Sequence, residues 1–176
     1  MKRNALLINI IIVLIAVITV GTTLSLLIAF SGPVENTFTY GKVEIALSET
    51  TGNEYKIIPD TSIKKDPTVT VKGGSEDCWL FVEVTEKNDF DIYMTYAVEN
   101  GWYHLTGTQN IFYREVAKTD SDKAFNVIKD NTVSVKSDLT EEMLNAITNN
   151  PKLTFKAYAV QRDGIDTPHE AFEIIK

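Results

Sequence analysis

The sequence predicts a mainly β protein, a jelly-roll-like β-sandwich with two short decorating helices, preceded by an N-terminal apolar helix. Three observations predict it. No charged residue occurs between Arg3 and Glu35, so the chain opens with a stretch suited to lipid rather than water. From Asn36 onward the apolar period is two, carried by β-branched and aromatic residues between turn formers. Helical signals are confined to two short segments near the C-terminus.

Lys2 and Arg3 precede the apolar run Ala5 to Phe30. As a helix, its 26 residues would reach roughly 39 Å at about 1.5 Å per residue, enough to cross a hydrocarbon core of about 30 Å. Basic residues ahead of the run and none directly behind it predict an N-terminus inside and everything after Phe30 outside. Two fates stay open. Ala29, Phe30 and Ser31 place small residues at alternate positions before the helix-breaking Gly32-Pro33, the pattern a signal peptidase reads. Cleavage there divides the chain into a signal peptide, 1–31, and an exported domain, 32–176. A cleaved signal usually has a shorter apolar core of about 7 to 15 residues, so the alternative is an uncleaved anchor through residues 5–30 with the domain outside.

The 176 residues hold 17 basic and 24 acidic side chains. Beyond Ser31, with Lys2 and Arg3 left behind, 15 basic residues face the same 24 acids, a formal charge of −9. That surface repels nucleic acid and anionic headgroups, so no nucleic-acid partner is expected, and membrane contact only through the N-terminal segment. Cys78 stands alone, which excludes an internal disulfide; burial is the expected fate of such a thiol.

Along the exported part, Phe38 and Tyr40 share one parity and Val43, Ile45 and Leu47 the other, which predicts a bulge or bend at Gly41. Polar residues 49–54 give way to Tyr55-Lys56-Ile57-Ile58-Pro59 and then a charged connection to Pro67. Pro67 to Lys72 alternates with Val69 and Val71 inward, and Gly73-Gly74 forces a turn. Cys78 to Val84 is apolar on both parities, which reads as a central strand covered on both sides. Further strands are expected at Trp102 to Thr106, Ile111 to Val116, Thr132 to Lys136 and Leu153 to Gln161. Leu139, Met143 and Ile147 recur at helical spacing before Pro151, and Thr167-Pro168-His169-Glu170 has the form of a capping box with proline at the first helical position.

Catalytic residues are scarce. The chain offers only His104 and His169, and Gly73-Gly74 is followed by neither lysine nor a helical pattern, so neither a triad nor a phosphate loop is suggested. On a helix His169 and Glu173 would share a face beside Glu170, a partial likeness to a zinc-protease helix that lacks its second histidine. The acid pairs Asp89/Asp91, Asp120/Asp122 and Asp163/Asp166 lie in polar loops without the central glycine and distal glutamate of a calcium loop. No catalytic residue, metal ligand or cofactor is therefore assigned.

Leu26-Leu27-Ile28-Ala29-Phe30-Ser31 followed by Asn36-Thr37-Phe38-Thr39-Tyr40-Gly41-Lys42-Val43 resembles the start of Gram-positive exported proteins processed by a SipW-type signal peptidase. Residues 65–71, 76–82 and 157–161 continue a likeness to the TasA-like and camelysin-like family through most of the chain. Gly32-Pro33-Val34 departs from the aspartate- or threonine-rich stretch common there. The resemblance implies a secreted or cell-surface jelly-roll subunit. In characterised members it assembles with copies of itself or related subunits into biofilm matrix fibres by donating an N-terminal strand. The resemblance also raises an alternative, a cell-surface metalloprotease of the camelysin kind, for which a full ligand set is missing here.

A donated strand must be extended, apolar on one face and tethered to its own core. Phe38, Tyr40, Gly41, Val43, Ile45 and Leu47 form the candidate assembly strand on those grounds. Its periodicity fits a first strand of the chain's own sheet equally well.

Overall fold

The computed structural model describes residues 42–52 and 54–176. The apolar run, the cleavage region Ala29, Phe30 and Ser31, and Phe38, Tyr40 and Gly41 lie outside the described residues.

The first five strands are β1 (Ile45–Ser48), β2 (Ser62–Lys64), β3 (Thr68–Val71), β4 (Cys78–Lys87) and β5 (Met94–Thr95). They are followed by β6 (Tyr103–His104), β7 (Ile111–Val116), β8 (Lys123–Asn126), β9 (Thr132–Val135) and β10 (Lys152–Gln161). The helices are α1 (Phe90–Tyr93), α2 (Glu141–Asn145) and α3 (Pro168–Ile175). All pairings among these strands are antiparallel, in three sheets ordered β1-β3-β8, β10-β4-β7-β6 and β2-β9-β5.

β4 is the organising strand, as its two-sided apolar pattern predicts. It pairs with β10 along its whole length, from Cys78↔Gln161 to Lys87↔Lys152, and with β7 from Cys78↔Val116 to Glu83↔Ile111. One face, with Cys78, Leu80, Val82 and Val84, packs on Val69 and Val71 of β3 and joins the four-stranded sheet to the β1-β3-β8 sheet. The other face, with Trp79 and Phe81, meets Leu105, Ala171 and Phe172, so α3 lies over it. Cys78 is fully buried, as expected, and burial pushes its thiol up to about 11, with the nearby Asp77 charge adding to the effect.

At the β3–β4 turn, Gly73 is demanded by close approach: a Cβ there would stand 2.7 Å from the Asp120 carbonyl oxygen. The predicted capping box is present. Thr167 N donates to Glu170 Oε2 (3.2 Å) and Glu170 N donates to Thr167 Oγ1 (3.3 Å), with Pro168 opening α3.

Four features depart from expectation. A third sheet, β2-β9-β5, encloses its own apolar cluster of Phe90, Met94, Ile128, Val133, Val135 and Leu139. To the two expected helices the fold adds α1, where the chain leaves β4 through the left-handed pair Asn88 and Asp89. The charged connection before Pro67 holds a strand, Ser62–Lys64, set off by left-handed Asp60. Short side-chain amides and carboxylates tolerate that conformation, and each such residue turns the chain out of the sheet it was following. The Trp102 strand shortens to Tyr103–His104, because Trp102 is buried in the first core with its Nε1 donating to Asn126 O at 2.8 Å.

Candidate functional site

The candidate assembly strand divides at Lys42. Its described part lies in the chain's own sheet, with Ile45 opposite Val71 and Leu47 opposite Val69. Val43 and Ile45 pack against the first core, whereas Leu47 stays 40% exposed. The three residues therefore share a parity but not an environment.

β10 is paired on one side only, with β4, and has no strand on its other edge among the described residues. Its environment differs sharply from its partner's. Leu80, Val82 and Val84 are sealed, while the residues opposite them, Ala159, Ala157 and Phe155, are each half-buried, as are Leu153, Tyr158 and Val160. β10 thus has no fully buried residue, and its outer edge carries no paired strand among the described residues.

Where the start of β10 faces the end of β1, this edge opens into a groove of about 1240 Å³. Leu47, Ile57, Ile63, Leu144, Ile147, Leu153 and Phe155 supply its apolar lining. Sequence reading missed it, because the lining residues come from β1, the β1–β2 connection, β2, α1, β5, β9, α2 and the turn after it, and β10, and each looks like an ordinary core position in isolation.

The rim is held by charge. Lys65 pairs with Glu49 and lies 5.3 Å from the Tyr55 ring centroid. Next to it the Asp66 carboxylate accepts from Thr50 N (2.9 Å), Thr51 N (3.1 Å), Thr51 Oγ1 (2.9 Å) and the Thr50 hydroxyl. Those donors, the Thr50 hydroxyl foremost, hold its carboxyl well below the usual carboxylate range. The β1–β2 connection is thus tied to the start of β3.

The residues of the protease-like motif are each engaged elsewhere. His169 Nε2 lies 2.9 Å from Thr106 O, Glu170 closes the capping box, and Glu173 meets Lys176 at 3.5 Å. No group of three His, Cys, Asp or Glu suited to a metal occurs among the described residues. His104 is exposed and packs edge-on against Phe112 at 5.4 Å.

Arg114 occupies a position that the sequence pattern does not suggest. On β7 it shares parity with Phe112 and Val116, and its guanidinium lies 3.9 Å from the Phe125 ring centroid and 5.3 Å from that of Trp102. Burial shifts its guanidinium below the ordinary value.

Compared with protein-family models, curated proteins and solved structures, the chain matches none.

Proposed function

We propose that this protein is a secreted or cell-surface structural subunit of jelly-roll type, assembled into extracellular fibres of the biofilm-matrix kind by donation of an N-terminal strand from one copy to the next. The observation that carries the reading is the outer edge of β10, unpaired among the described residues, beside an apolar groove. A donated strand gains affinity from main-chain hydrogen bonds along such an edge and register from alternate side chains seated in the groove. The donor is the stretch ahead of β1, with Phe38 and Tyr40 as its apolar face, since Val43 and Ile45 already pack on their own core. Head-to-tail donation with a rotation that does not close into a ring yields filaments. The resemblance described above, at the N-terminal segment and through most of the chain, supports the same reading.

Phe38→Asp with Tyr40→Asp tests it. Fibres of the wild-type protein, followed by light scattering and negative-stain microscopy, are expected to lengthen with added salt, which screens repulsion between copies carrying −9. The double variant is expected to keep a cooperative thermal transition and remain monomeric. Fibres that form undiminished from the double variant would overturn the proposal, as would a wild-type protein that stays monomeric at high salt and high concentration.

A further inference from the structure

We propose that Arg114 is the centre of an oxyanion-binding site at the seam between β7 and β8, taking a carboxylate or phosphate group on the fork of its guanidinium. The chain has three arginines, Arg3, Arg114 and Arg162. Arg162 is neutralised in the ordinary way, its Nη1 lying 3.0 Å from Glu115 Oε2. Arg114 has no carboxylate within ion-pair distance among the described residues, although the chain has 24 acids to offer.

Its surroundings are built, not incidental. Phe125 and Trp102 present their rings to the guanidinium, and Trp102 is itself fixed by its hydrogen bond to Asn126 O. Gly101, at φ +86°, brings the backbone flush against the head group: a Cβ there would stand 3.0 Å from Nη2. Nε is sealed from solvent without a hydrogen-bond partner, whereas Nη1 and Nη2 are not in that condition. The inner nitrogen is thus locked, and among the described residues no hydrogen bond engages the outer fork.

Energetics favour an intended ligand. A partly buried cation with no counter-charge among the described residues still calls for an acceptor, and ring contacts meet only part of that demand. A carboxylate or phosphate meets the two Nη groups in bidentate geometry, and the rings have already removed the rotamer freedom that binding would otherwise cost.

The test uses the full chain in dodecyl maltoside micelles, following the arginine Nε–Hε signals by NMR. Sodium acetate and inorganic phosphate are titrated separately, each against sodium chloride at matched ionic strength. The Arg114 signal, assigned by its loss in Arg114→Lys, is expected to move saturably in the millimolar range, with the Trp102 indole N–H following and Arg162 unmoved. Saturation by acetate alone identifies a carboxylate site, and saturation by phosphate alone a phosphate site. The thermal midpoint of the wild type should rise in the saturating anion, and that of Arg114→Met should not. Linear shifts equal to those in chloride, or equal shifts at Arg162, would overturn the proposal.

Discussion

Truncating Phe81 should loosen α3 from the sheet by a predictable amount. Phe81 is the largest fully buried side chain, and its ring centroid lies 5.6 Å from that of Phe172 on α3, at 47° between planes. A fully buried Phe→Ala change costs about 3–5 kcal/mol through lost transfer energy and the cavity left behind. Phe172 is only half-buried, so Phe172→Ala should cost less, about 1.5–2.5 kcal/mol, taking part of the full transfer value and adding the aromatic contact. The pair itself is worth about 0.5–1.5 kcal/mol, so the double variant should be more stable than the sum of the singles implies by that amount. Urea unfolding followed by far-UV circular dichroism gives all four stabilities. Domains of this kind are stable by about 5–15 kcal/mol, so Phe81→Ala should lower the urea midpoint severely or leave little folded protein. A Phe81→Ala cost below about 1.5 kcal/mol, outside the core-truncation range, would refute the packing described for this face.

Four further outcomes are expected. Thr167→Ala should destabilise by about 1 kcal/mol through loss of the α3 cap, and His169→Ala with Glu170→Gln should leave zinc content and peptide hydrolysis of the purified protein unchanged; metal analysis and a casein assay check the second part. Asp66→Asn should destabilise at neutral pH, because the bound carboxylate is acidic relative to its unfolded value. The gap between wild type and variant should be full above pH about 4 and shrink as pH falls toward the folded value, so urea midpoints from pH 3 to 7 that show a constant or widening gap would contradict the Asp66 anchor. N-terminal sequencing of secreted protein should begin near Gly32, and recovery only from membranes with Met1 or Lys2 first would establish the anchored form instead.

The strands that alternation or two-sided burial made legible are those that hold the centre. Val69 and Val71, Cys78 to Val84, Ile111 to Val116 and the start of α3 fall where the pattern put them. β2, β5 and β8 are short and lack a clear alternation, and the left-handed Asp60 ahead of β2 reads from sequence only as a polar turn. The groove was illegible for a different reason, since its walls come from positions about a hundred residues apart that only tertiary pairing brings together. Arg114 inverts the usual reading of an alternating strand: a charged residue between Phe112 and Val116 on one parity marks the stacked position facing Phe125 and Trp102.

The pairing of β4 with β10 also sets a timetable. Cys78 meets Gln161 and Lys87 meets Lys152, so the strand at the centre of the molecule finds its longest partner only in the last part of the chain. Such distant pairing carries a large loop-closure entropy and slows folding relative to a fold built from neighbours in sequence. A chain that emerges N-terminus first has β3, β4 and β7 in hand yet lacks the strand that closes the sheet, and α3, which covers the sheet's second face, comes later still. The domain is therefore arranged to stay open while it is being synthesised and to lock at the end, when residues 152–175 arrive together.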